Sequence, residues 1–124
     1  MVELPRNARV VVIGGGVIGC SVAYHLAELG WSDVLLLERK QLTSGTTWHA
    51  AGLIGQLRAT YNMTRLAKYS AELYDRLEAE TGVATGYRKC GSLAVALTAD
   101  RFEELRRGAA MAGTFGLEAH VLST

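Results

Sequence analysis

Cysteine is nearly absent from this chain. Cys20 and Cys90 stand far apart without metal-ligand spacing, so both thiols read as core filling, in a cytoplasmic compartment or, for a eukaryotic protein, the mitochondrial matrix. No cluster of histidine and cysteine suggests a metal. Proline occurs once in 124 residues, beside 49% hydrophobic and 20% charged residues, which excludes a disordered or fibrous chain. An excess of one charge is missing too. Thirteen basic against twelve acidic residues leave a net charge of +1, without the broad electrostatic footprint of a nucleic-acid or anionic-membrane partner, and a small-molecule partner is expected. No run approaches the ~18 apolar residues of a membrane span. Arg6 and Arg9 ahead of Val10–Ala23 imitate a signal peptide, but the glycines of that stretch belong to another motif and the helical pattern continues through Leu26 and Leu29. The length fits one compact domain.

What is present begins with Arg9–Ile13, a short β-branched apolar run of the kind found in parallel strands buried on both faces. From Val17 the apolar period becomes helical, with Val17, Ile18, Val22, Leu26 and Leu29 on or near one face and Gly30 as the stop. After the turn Gly30–Asp33, Val34–Leu37 reads as a second strand ending at Glu38. Strand, helix and strand make a βαβ unit with a right-handed crossover. Gln41–Gly55 is rich in Ser, Thr, Gly and Ala and reads as a functional loop with at most one helical turn. Thr64–Glu80 carries Leu66, Tyr69, Leu73 and Leu77 at helical spacing, its charges forming a solvated face, with a stop at Gly82. Gly91–Leu97 alternates weakly and predicts a strand, and Thr98 predicts the N-cap of a helix with Phe102, Leu105, Ala109 and Ala112 on one side. Leu117–Leu122 is a candidate start of another strand.

Two places carry chemistry. In the first, Gly14, Gly16 and Gly19 form a G-x-G-x-x-G between strand and helix. Gly14 permits the tight turn, Gly16 removes a Cβ from the path of a pyrophosphate, and Gly19 lets the helix pack close to the strand. Phosphate then rests on the free N–H groups and positive dipole end of the helix that opens with Val17 and Ile18. Glu38 ends the second strand, where a carboxylate accepts from ribose hydroxyls, and Arg39 follows it. This unit serves NAD and FAD alike. The second place is Leu42–Leu53. Here Gly45, Thr46 and Thr47 can run along a pyrophosphate, giving it backbone N–H groups and two hydroxyls, and can deliver Trp48 and His49, followed by Ala50, Ala51, Gly52 and Leu53, toward the isoalloxazine end of FAD. Trp48 reads either as packing or as a flavin-edge contact, and His25 and His120 as structural.

In Val11–Gly19, Leu36–Arg39, Leu42–Leu53, Tyr74–Gly82 and Gly91–Ser92 the chain resembles the FAD-dependent amine dehydrogenases of the dimethylglycine and sarcosine dehydrogenase type, within the D-amino-acid-oxidase-like superfamily. The likeness implies a Rossmann-type α/β FAD-binding domain with a parallel sheet, incomplete here, residues 1–124 being its N-terminal part and the substrate and C-terminal domains lying outside them. It implies FAD bonded covalently through its 8α-methyl carbon to His49. It implies hydride transfer from an N-methyl amine to the flavin, and in the full-length protein a possible use of tetrahydrofolate. A neutral imidazole is a competent nucleophile for such a bond. Arg58 and Arg65 are candidates for a substrate carboxylate, and the acid–base groups for the amine are expected elsewhere. Two further classes remain open: a noncatalytic FAD-binding module that needs a partner subunit, and an NAD-linked Rossmann dehydrogenase. An isolated chain of this length is expected to expose apolar faces and to lack turnover.

Overall fold

The computed structural model describes residues 5–122 and divides into two compact units, Met1–Leu53 and Ile54–Thr124.

The first unit is the predicted βαβ arrangement. Strand β1 (Val10–Ile13) and strand β2 (Val34–Leu37) pair in parallel, Val10 opposite Val34 and Ile13 opposite Leu37, with helix α1 (Val17–Glu28) between them in sequence. Gly14 adopts φ +105°, a conformation costly for any residue with a Cβ, so the chain can leave β1 and enter α1 within three residues. A Cβ on Gly19 would run into the carbonyl oxygen of Gly14, which is why the helix can lie so close to that turn. Helix α1 ends at Gly30 (φ +82°), where the Gly30 and Trp31 N–H groups reach back to the carbonyls of Ala27 and Leu26.

Two expectations for this unit need correction. β1 is not buried on both faces: Val12, on the side of α1, is half-buried, but Val11 and Ile13, on the opposite face of the strand, are exposed. The inward side of α1 is not the Val17, Ile18, Val22 and Leu29 set, all of which are exposed; it carries Gly19, Cys20, Ala23 and Leu26. Small residues permit the close approach, and the larger branched ones are turned outward.

The second unit holds helix α2 (Tyr61–Thr81) and helix α3 (Ala99–Thr114). Helix α2 starts one turn earlier than the apolar period suggests, because Thr60 caps it by accepting from the Met63 N–H at 3.4 Å. Its inward residues are Thr64, Ala71 and Leu73, whereas Leu66 and Tyr69 remain exposed. Thr64 is buried and satisfied: its Oγ1 accepts from the Arg58 N–H and donates to the Arg58 carbonyl. Helix α3 begins at the expected cap, Thr98 accepting from the Arg101 N–H at 3.2 Å. Ala112 is buried and Leu105 and Ala109 half-buried, while Phe102 is exposed.

Neither Gly91–Leu97 nor Leu117–Leu122 forms a strand. A strand is defined by its ladder, and among the described residues no segment pairs with either of these. Cys90 is exposed rather than core filling, and Cys20 is half-buried.

Candidate dinucleotide and flavin site

The site is built where the glycine turn meets the loop after β2. Gly15, the middle glycine of the run, is the one buried residue among those described in the first unit. Its N–H donates to Glu38 Oε2 at 2.8 Å, and its carbonyl accepts from the Thr43 N–H at 2.8 Å. A Cβ at this position would stand 2.5 Å from Leu42 Cδ2 and 3.1 Å from Glu38 Cβ. A larger residue at 15 would therefore displace Leu42 and press on Glu38. The triple-glycine run carried the signal for this, although Gly15 occupies the freely variable position of the motif.

Glu38 binds a second backbone group, accepting from the Lys40 N–H through Oε1 at 2.9 Å. These contacts, Gly15 first and Lys40 second, hold its carboxyl below the ordinary carboxylate range. Each oxygen of an ionised carboxylate has two lone-pair directions, so both keep one free for another donor. Arg39 is exposed, and its positive charge adds a smaller contribution that lowers the same carboxyl.

The loop returns to the glycine turn through Thr47. The predicted helical turn is a short 3-10 segment, Thr46–His49, entered from Gly45 and closed by the Ala50 N–H donating to the Thr47 carbonyl at 3.1 Å. Thr47 Oγ1 accepts from the Val17 N–H at 2.9 Å. Gly16, the N-cap of α1, has no side chain to do this, and a Cβ placed on it would meet that hydroxyl at 3.0 Å. Ile18 is exposed beside this end of the helix. Trp48 and His49 are exposed, with ring centroids 4.2 Å apart and planes tilted by 35°. Beyond them Ala50, Ala51, Gly52 and Leu53 are all exposed. Thr43 is held at φ +64°, an unusual conformation for a β-branched residue that no sequence signal announced.

The structure thus brings Gly14, Gly15, Gly16, Val17, Gly19, Glu38 and Thr47 together, with Trp48 and His49 beside them. Arg58 and Arg65 belong to the second unit, where the Arg58 guanidinium reaches the Leu57 carbonyl at 3.5 Å and that of Arg65 stands 5.8 Å from the Tyr61 ring centre. His25 meets the Ser21 carbonyl at 2.6 Å and His120 meets Glu118 at 2.8 Å, both within their own segments.

The sequence profile of the FAD dependent oxidoreductases matches residues 9–124. The chain belongs to that family. It is 54% identical to 4-methylaminobutanoate oxidase (formaldehyde-forming) of Paenarthrobacter nicotinovorans over 82% of its own length and 12% of that protein. It is 48% identical to the mitochondrial sarcosine dehydrogenase of Homo sapiens over 97% of its length and 13% of the relative. Among solved structures, L-proline dehydrogenase from P. horikoshii superposes with a TM-score of 0.82 at 28% identity, over 91% of this chain and 29% of that one. The chain therefore spans about an eighth of the two curated relatives. The shared fold is that of FAD-binding dehydrogenases, of which the two-stranded parallel unit described above is a part.

The residues fit the cofactor of this family on two counts. The side-chain-free edge at Gly16 leaves the first turn of α1 open to an anion beside a hydroxyl, and Glu38 is an ionised acceptor at the end of β2.

Proposed function

We propose that this chain is the N-terminal, flavin-anchoring part of an FAD-dependent oxidoreductase acting on an N-methyl amine such as sarcosine or dimethylglycine, with FAD bonded covalently to His49. In this reading residues 1–124 form the N-terminal part of one FAD-binding domain, and the longer protein supplies the substrate and C-terminal domains. The observation that supports it is the Thr46–His49 turn, tied to the first turn of α1 by Thr47, two residues before His49. The names of the relatives support an N-methyl amine as the substrate class.

Each residue then has a task. Gly14, Gly16 and Gly19 shape the turn, the Ile18 N–H at the head of α1 faces the pyrophosphate, and the Val17 N–H acts on it through the Thr47 hydroxyl to which it donates. Glu38 accepts from the adenosine ribose through its remaining lone pairs, and Arg39 keeps positive charge beside it. Gly45, Thr46 and Thr47 follow the pyrophosphate, and Ala50, Ala51, Gly52 and Leu53 present backbone to the flavin ring with Trp48 at its edge. Bound FAD supplies the two-electron oxidation of the amine, while the protein supplies placement and electrostatics. His49 would hold the flavin by a bond from a ring nitrogen to the 8α-methyl carbon; forming it would remove one hydrogen from each partner, two electrons and two protons in total, with molecular oxygen as the oxidant. Tetrahydrofolate as one-carbon acceptor belongs to the full-length protein in this reading, as does a location in the cytoplasm or the mitochondrial matrix.

Denaturing intact-mass spectrometry of the chain expressed with flavin tests this directly, beside His49→Ala. The expected result is a gain of one FAD less two hydrogens, absent in the variant. Flavin that is present in the native chain but released on denaturation overturns the covalent bond and keeps the FAD reading. A chain without a flavin spectrum that binds NAD overturns both.

A further inference from the structure

We propose that Thr47 is the positioning residue that couples the phosphate-binding end of α1 to His49, so that the anchor histidine is held in place only while the Thr47 hydroxyl is seated on the helix. This rests on the reading of His49 as the flavin anchor.

Across Gln41–Ala50 every residue is exposed except Thr47, which is half-buried. Its hydroxyl is the one side-chain group of that stretch with a hydrogen bond to α1, at 2.9 Å to the Val17 N–H. The seat is tight. A Cβ on Gly16 would stand 3.0 Å from Thr47 Oγ1 and press the hydroxyl from its seat, so the glycine serves the threonine as well as any ligand. A hydroxyl accepting at its oxygen still has its own O–H to donate, which suits a group lying between a helix N–H and a phosphate oxygen.

Thr47 and His49 also share the same four-residue 3-10 turn, closed by the Ala50 N–H on the Thr47 carbonyl. A displacement of Thr47 is transmitted through that hydrogen-bonded turn to His49, whose ring centre lies 4.2 Å from that of Trp48. The upstream half of the loop is tied independently, by the Thr43 N–H on Gly15 and by Leu42 over the same glycine. Loss of the Thr47 bond therefore frees the downstream half alone.

The variants are Thr47→Val, which keeps the shape and removes the hydroxyl, and Thr47→Ser, which keeps the hydroxyl. Two readouts are needed. In the whole chain without flavin, NMR should show the Val17 amide and the His49 ring resonances shifting together in Thr47→Val and returning toward parental positions in Thr47→Ser. With FAD at saturating concentration, covalent incorporation followed by intact mass should slow at least tenfold in Thr47→Val and recover in Thr47→Ser. His49 resonances that stay in place in a folded Thr47→Val chain overturn the coupling, whatever the flavin does. Equal incorporation rates for parent and Thr47→Val overturn it while leaving His49 as anchor. A longer protein carrying this segment that incorporates no flavin overturns the anchor reading, and with it the role of Thr47 in anchoring.

Discussion

Glu38 illustrates how a single side chain serves structure and ligand at once. Its carboxylate closes the glycine turn through the Gly15 N–H and its own strand end through the Lys40 N–H. Both bonds favour the charged form, so the folded-state pKa lies below the ordinary value of 4.5. A depressed acid stabilises the fold above its unfolded pKa, and that contribution is lost as pH falls through the lower folded value. Glu103 behaves the same way, held down by Arg106 and then Arg107. Acid titration of the parent therefore mixes the two, and the comparison with Glu38→Gln separates them. The melting temperature of the parent should exceed that of Glu38→Gln at neutral pH, and the gap should close between about pH 5 and pH 2. Because the carboxylate is open to solvent, the gap is small. A gap that is unchanged at low pH removes the ionised Glu38 from the account of the turn. The position of this residue at a strand end was legible in sequence; its turn back onto Gly15 was not, because nothing in the spacing says where a carboxylate points.

At the scale of elements, local chemistry was readable wherever a segment satisfies its own backbone. Val34–Leu37 and the start of α1 at Val17 lie where the period changed, and Thr98 caps α3 as its position ahead of Phe102, Leu105, Ala109 and Ala112 indicated. Thr98→Ala should destabilise the unit containing α3 by about 1 kcal/mol and lower the helical circular-dichroism signal, while Thr98→Asp should keep most of both. An unchanged signal in Thr98→Ala means that the α3 terminus does not depend on this bond. Segments that depend on others were not readable. Gly91–Leu97 has the alternation of a strand, but alternation describes a face and does not supply the neighbour whose N–H and C=O groups complete a ladder. The inward faces of α1 and α2 were legible only in part: Leu26 and Leu73 turn inward as their spacing indicated, but Ile18 and Leu66 are exposed where the smaller Ala23 and Ala71 are covered, since hydrophobicity ranks residues without saying which of them meets a neighbour.

For the whole molecule the deciding fact is how few apolar side chains are enclosed. Among the described residues the buried hydrophobic ones are Ala71, Leu73 and Ala112, while Ile13, Leu53 and Leu97 are 86%, 87% and 92% exposed. Enclosing a large aliphatic side chain stabilises by about 1.5–3 kcal/mol, so surfaces of this kind favour further contact with protein. The curated relatives, of which this chain spans 12% and 13%, have chain to provide it. The isolated chain should therefore bind an apolar fluorescent dye and show a sedimentation coefficient that rises with concentration. Leu93 and Leu97 lie in the unpaired segment, 79% and 92% exposed, outside the proposed cofactor site. Leu93→Ser with Leu97→Ser should weaken both signals in the isolated chain without lowering its melting temperature, since neither residue is enclosed there. The same pair placed in a longer protein that carries this segment should lower its stability by about 4–10 kcal/mol, roughly 2–5 for each enclosed leucine removed. An isolated chain that stays monomeric and dark to the dye overturns the view that these faces are unfinished contacts, and a longer protein indifferent to the pair shows that Gly91–Leu97 remains exposed there as well.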